Sequence, residues 1–250
     1  VLNHNVNAVE YIEISCQNCN LDKLCIPLGL DAEEIEKFDH IIKRNHPLHR
    51  GDYLFRKGEC LQSLFVLRTG SVKIIIPSED GYERVVGFYF PGEITGLDGI
   101  QQEIYLCSAK VLETCAVCEI PFRRLEELTS NIPSLRRQMY RLLSREISHD
   151  TSALMLVSKK NAEERLAAFL LNLSNRFKIR GLSATDFYLS MSRYDISNYL
   201  GLAVETVSRL FTRFQEEGLL LIDKRHVQLL DIHRLETMVA KIHINSIHTQ

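Results

Sequence analysis

A chain of 250 residues that is 45% hydrophobic can bury one large core or two smaller ones, and it lacks the run of about 18 apolar residues needed to cross a bilayer, so no membrane partner is expected. Its formal net charge of -2 hides an uneven spread: residues 1–40 carry eight acids against Lys23 and Lys37, while residues 159–213 carry nine Lys or Arg against five acids, placing any polyanion on the C-terminal half. Seven cysteines, an odd number, without the basic, apolar and small-residue succession of a secretory signal, predict reduced thiols in a cytoplasmic protein and argue against a disulfide framework.

Residues 1–30 read as a polar arm. Cys16-Gln17-Asn18-Cys19, followed after five residues by Cys25, brings three potential thiolates within ten residues, the donor type taken by soft metal centres. Spacing alone leaves open an iron–sulfur centre and a structural zinc completed by one further thiolate, although the paired CxxC units usual for zinc are absent. Residues 31–43 predict a short acidic helix with Ile35, Phe38 and Ile42 on one side. From 48 to about 120 the texture changes to β-branched and aromatic runs (53–55, 64–67, 72–76 and 85–90) punctuated by Gly58, Gly70, Gly81 and Gly92. Strands of about five residues at about ten-residue spacing predict a small antiparallel barrel or roll, closed by Pro121.

From Leu135 to Val157 the period becomes helical and long. Leu143, Ile147, Asp150, Leu154 and Val157 step by 4, 3, 4 and 3 residues, the seam of a two-stranded coiled coil, so a homodimer is expected; a helix packed on its own domain shares part of this pattern. On a symmetric seam Asp150 faces its own copy, and two carboxylates brought together oppose assembly unless one takes a proton. Dimerisation is therefore expected to be marginal, unless a drifted helix period turns Asp150 to solvent. Residues 159–177 predict a second amphipathic helix with Leu166, Phe169, Leu170 and Leu173 inward, and Gly181 ends the element.

Ser192 and Asp195 have the spacing of a capping box opening a helix through Ile196, Tyr199 and Leu200. After Gly201, Val204 to Phe214 form the next helix, and the pair around a glycine turn predicts a helix-turn-helix. Residues 218–222 and 227–230, flanking Asp223 to His226, predict a hairpin wing behind it. In the second helix Glu205, Ser208 and Arg209 share one face at steps of 3 and 4, where major-groove contact falls. Arg209 can fork onto guanine, Glu205 can accept from cytosine N4 or orient Arg209, Ser208 suits base or phosphate, and Arg213 is placed for phosphate. Tyr194, Arg193, Lys224 and Arg225 fit either phosphate contact or plain surface. The histidines show no pairing with Ser, Cys or Asp at triad spacing, so no enzyme is expected.

These parts together resemble the CRP/FNR family of transcription regulators, and within it the oxygen-responsive members. The resemblance runs from about Cys16 to Leu230 and includes CxxCx5C in the arm, LETCAVCEIPF at 112–122, SKKNAEERLAAFLLNLSNRF at 158–177 and LGLAVETVSRLFTRFQEEGLL at 200–220. It implies a [4Fe-4S] cluster held by Cys16, Cys19, Cys25 and the distant Cys118, assembled without oxygen, promoting dimerisation and binding to palindromic double-stranded DNA. Alternation along a strand puts Cys115, Val117 and Glu119 on one face and Cys118 on the other, so only one cysteine of that pair points easily at the arm. Cys60, Cys107 and Cys115 are expected to be ordinary thiols. The resemblance also implies an RNA polymerase contact in the loop Ser78 to Glu83, with Gly81 at its tip. Family members that bind cyclic nucleotides pair the phosphate with an Arg just before Ser-Ala; here Cys107 precedes Ser108-Ala109, so no cyclic nucleotide is expected. One departure is Ala203, where the family often caps the recognition helix with Ser or Thr.

The expected fold class is α+β: a cluster-binding arm (1–30), a β-roll of the cyclic-nucleotide-binding jelly-roll type (31–130), a dimerisation helix (131–158) and a winged helix-turn-helix (159–250). The rival of another class is a zinc-stabilised constitutive DNA-binding or scaffold protein.

Overall fold

The computed structural model describes residues 15–21, 24–77, 81–159 and 161–240, with the side chains of 149, 150, 152, 153 and 155–159 outside the described set. Eight short strands build the roll: β1 (Lys43–Arg44), β2 (Tyr53–Phe55), β3 (Ser63–Thr69), β4 (Val72–Pro77), β5 (Glu83–Tyr89), β6 (Ile94–Thr95), β7 (Ser108–Val111) and β8 (Ala116–Pro121). They pair antiparallel in two four-stranded sheets, β1-β8-β3-β6 and β2-β7-β4-β5, a jelly roll as the strand spacing predicts. Phe55, Phe65, Leu67, Val72, Ile74, Val111 and Val117 fill the space between them.

Alternation along the strands assigns their outer faces to different neighbours. On β3, Leu64 and Val66 turn away from Phe65 and Leu67 and join a second core with Ile26, Phe38, Leu125, Leu135, Met139 and Leu142. On β4, Ile75 turns away from Val72 and Ile74 into a third core shared with the C-terminal region.

The acidic helix is shorter than predicted. Helix α1 spans Ala32–Asp39, opened by an Asp31–Glu34 capping box (Glu34 N donates to Asp31 Oδ1, 2.9 Å), and Lys43–Arg44 then pair with β8 instead of continuing it. Helix α2 (Phe122–Asn131) escapes the sequence reading because Pro121 reads as a terminator, whereas proline is tolerated where a helix begins, its missing N–H being one that has no partner there anyway. Helix α3 (Pro133–Lys159) is the long helix, and its inner face buries Leu135, Met139 and Leu142 against the roll.

Helix α4 (Ala162–Ile179) starts at an Asn161–Glu164 capping box. Helices α5 (Arg193–Leu200) and α6 (Val204–Glu216) follow around Gly201, whose φ of +64° is the left-handed conformation that favours glycine. Strands β10 (Leu220–Asp223) and β11 (His226–Leu229) form the expected hairpin with Lys224-Arg225 at its tip, and β9 (Asp186–Tyr188) adds a third strand too short to announce itself by alternation. Helix α7 (Ile232–Ala240), also unpredicted, returns Leu235 to the core. Among the described residues no helix is long and apolar enough to cross a membrane.

Candidate metal centre and nucleic-acid interface

Four cysteines from three parts of the chain meet at one small cavity. Cys16 opens a single 3-10 turn (Cys16–Asn18), Cys19 follows it, Cys25 lies six residues on, and Cys118 comes from β8; Leu21, Pro27, Phe38, Ile42, Val66, Arg68 and Ile120 complete the wall. Ile26, 1% exposed, pins the arm into the core beside Cys25. Gly92 lets the arm close on the roll: a Cβ there would stand 2.8 Å from Leu24 Cβ, and its φ is +86°. The register of β8 shows which of Cys115 and Cys118 lies toward the arm. Cys118 lies in register with Arg44 and Val66 and joins the arm core, while Cys115 points between the sheets.

The cavity measures about 20 Å³, room for about one water, so a larger group requires the arm to move outward. Burial comes first among the causes that raise the Cys16 thiol pKa, followed by Asp39 and the neighbouring Cys25 and Cys118. Burial likewise pushes Cys25 up to about 12, with Cys118 and Cys19 adding to it. Cys118 is raised by burial too, but Arg44 and Arg68 pull it back down. Cys16 N donates to Asp39 Oδ1 at 2.8 Å, and Arg44 pairs with the same carboxylate while its Nη2 lies 3.9 Å from Cys16 Sγ. Arg44 Nε is buried with no acceptor among the described residues.

This donor set fits an iron–sulfur cluster: four thiolates around one site, two guanidiniums nearby to offset net negative charge, and an unused N–H donor. Among the described residues no group of three His, Cys, Asp or Glu side chains is placed to hold a metal ion as the chain stands, so a cluster and a single zinc alike require the arm to shift.

The second candidate site is the exposed face of α6. Glu205, Ser208, Arg209 and Arg213 are exposed, while Val207, Leu210, Phe211 and Phe214 are buried behind them. Arg209 Nε donates to the Glu205 backbone carbonyl (3.3 Å), not to its carboxylate. Arg213 is held by Glu163 and by Glu217 (2.8 Å), so a phosphate contact would require it to exchange partners. Arg193 lies 3.5 Å above the Phe211 ring, where burial lowers its pKa to about 10; it braces α5 on α6 instead of standing free. Lys224 and Arg225 are exposed at the wing tip.

On α3, Ile147 is 68% and Leu154 66% exposed and Leu143 is half-buried; Asp150 and Val157 lie outside the described side chains. In the roll, Asp98 Oδ2 accepts from Leu106 N (2.8 Å), Cys107 N (3.1 Å) and Cys107 Sγ (3.1 Å), so the chain's own carboxylate fills a small nest of amides next to the position where an Arg would meet a phosphate. Sequence reasoning missed Arg44, Asp39, Asp98 and Lys73. The only signal for Lys73 was a charge set within the apolar run Val72 to Ile76.

A jelly roll joined by a long helix to a winged helix-turn-helix defines a sensor-type regulator that reads DNA. Residues 45–131 match the cyclic nucleotide-binding domain and residues 164–238 the Crp-like helix-turn-helix domain. The chain is 51% identical over 216 residues to the transcriptional activator protein anr of Pseudomonas aeruginosa, covering 86% of this chain and 88% of that one. It is 46% identical over 216 residues to the fumarate and nitrate reduction regulatory protein of Escherichia coli, covering 86% of each. Among solved structures, FixK2 from Bradyrhizobium japonicum superposes with a TM-score of 0.74 at 25% identity, over 80% of this chain and 98% of that one. The chain belongs to the CRP/FNR family of transcription regulators, and it is a DNA-binding protein of homodimer type, not an enzyme.

Proposed function

We propose that the protein is an oxygen-responsive, cytoplasmic regulator in which Cys16, Cys19, Cys25 and Cys118 hold a [4Fe-4S] cluster, dimerisation runs through α3, and the dimer reads a two-fold symmetric DNA site. One observation carries the reading: Cys16, Ile26 and Cys118 share a single hydrophobic core with Leu135, Met139 and Leu142 on the inner face of α3. Anything that orders or releases the arm therefore acts on the base of the dimer helix. Bound there, the cluster would supply an oxygen-labile restraint joining arm to roll.

The chain's own groups do the rest. Arg44 and Arg68 offset the negative charge of four thiolates, and Ile26 transmits the arm's position to Leu135 and Met139. Ile147 and Leu154 offer an apolar stripe that a second copy would cover. The α6 face would enter the major groove in each half-site, with centres about 34–36 Å apart. A nest already filled by Asp98 supports a roll blind to cyclic nucleotides. The RNA polymerase contact is proposed for the loop Ser78 to Glu83, of which residues 78–80 lie outside the described set.

The test is cluster content in single serine variants. Cys118→Ser purified without oxygen should lose iron and sulfide together, whereas Cys115→Ser should retain both. Equal loss in the two, or loss in neither, contradicts the ligand set.

A further inference from the structure

The reader is not loosely tethered to the roll. Helix α5, the first of the two helices that present α6, is fastened to the β4–β5 hairpin by a buried ion pair and a pair of backbone bonds. Lys73 Nζ lies 2.7 Å from Asp195 Oδ1, and the two side chains are 11% and 7% exposed. Asp195 Oδ2 meanwhile accepts from Ser192 N (2.9 Å) and Ser192 Oγ (2.6 Å), so one carboxylate both caps α5 and holds the roll. Asn198, one turn on, accepts from Val85 N and donates to Glu83 O, each at 2.7 Å, so α5 takes up the free backbone edge of β5. Ser71 Oγ and Ser190 Oγ share a hydrogen bond of 2.7 Å beside them. A second fastening lies at α4: Arg176 and Arg180 both pair with Glu93, and donate to the Phe88 and Pro91 carbonyls at 2.7 and 2.8 Å.

A buried ion pair adds little net stability over an apolar contact of the same shape, because desolvation offsets its attraction. What polar fastening of this kind supplies is a single orientation, since Asn198 meets fixed backbone groups of β5 and Lys73 meets Asp195 at 2.7 Å, with Glu83 of the roll itself further off at 3.8 Å. Phe88 packing edge-on to Phe169 and Tyr199 could tolerate sliding; the polar contacts do not.

We infer that Lys73, Asp195 and Asn198 are positioning residues that fix α6 relative to the roll, and hence fix the half-site separation the dimer accepts. This rests on the reading of the protein as a dimeric DNA binder. With the reader locked, one inserted or deleted base pair displaces a half-site by about 3.4 Å and rotates it by about 34°, which a rigid dimer cannot follow.

The experiment compares DNA affinity at one salt concentration for symmetric sites of native separation and one base pair longer or shorter. It uses the anaerobic wild type, the Lys73→Met/Asp195→Asn double variant, which removes both buried charges together, and the milder Asn198→Ala. The wild type should lose about tenfold or more in affinity for a shifted site. The variants should lose less than about threefold while still rejecting a mutated half-site. Amide hydrogen exchange on the same proteins should show residues 83–89 and 193–200 losing protection together in the variants while β3 and α6 keep theirs. Variants that retain the wild-type spacing penalty, or whose interface amides stay protected, overturn the inference. A wild type that binds no symmetric site defeats the DNA-binding reading instead, and the exchange result then decides the fastening alone.

Discussion

At Ala203 the recognition helix begins with no side-chain acceptor for its first free amides, as the sequence alone indicates. Ala203→Ser should stabilise the protein by about 0.5–2 kcal/mol, read as a raised urea midpoint at unchanged slope. Arg209, exposed and, among the described residues, hydrogen-bonded to the Glu205 backbone carbonyl, is available for a base edge. Arg209→Ala should cost about 1–3 kcal/mol and relax choice at one base pair per half-site, which a binding-site selection would reveal; an unchanged preference removes it from base contact. The cysteine trio was legible because no other side chain offers a thiolate and three of them fall within ten residues. Arg44, Asp39 and Lys73 were not, because a two-residue strand and a lone charge in a strand have no pattern: their meaning appears only when register sets Arg44 beside Cys118 and packing sets Lys73 against Asp195.

Between elements, the carboxylates that fasten reader to roll give the molecule a defined acid limit. Asp195 and Glu93 both have pKa values held below their ordinary 3.8 and 4.5: burial alone would raise each, but Lys73 with Ser192, and Arg176 with Arg180, outweigh it. Depressed values in the folded state mean that these groups stabilise it fully above their ordinary pKa and lose that contribution as pH falls through the lower folded values. Urea stability followed from pH 6 downward should therefore decline below about pH 4.5, and Glu93→Gln should show a shallower decline. Strong periodicity made α3, α4 and the helix-turn-helix legible in the sequence. Helices α2 and α7 and strand β9 were not, because a proline before the first, a single buried residue, Leu235, on the second and a three-residue length in the third each leave too little local pattern until tertiary packing completes it.

At the scale of the whole molecule, α3 presents two unlike faces: Leu135, Met139 and Leu142 belong to the arm core, while Ile147 and Leu154 stand exposed further along the helix. The step pattern of the sequence adds Asp150 to that exposed stripe, where two copies would bring two carboxylates together. Asp150→Ala should thus give dimers in air, and sedimentation showing aerobic monomers would contradict a charge-limited seam. DNA affinity should fall with salt by about one log-log unit per phosphate ion pair formed. The central claim, that a cluster at the arm governs dimerisation and DNA binding, is tested most directly by one sample purified without oxygen and divided. Iron, sulfide, sedimentation and DNA binding are measured together before and after air. The account predicts a brown dimer with about four iron and four sulfide per chain that binds DNA, and a bleached monomer that does not. A colourless dimer whose metal content and DNA binding survive air would contradict it.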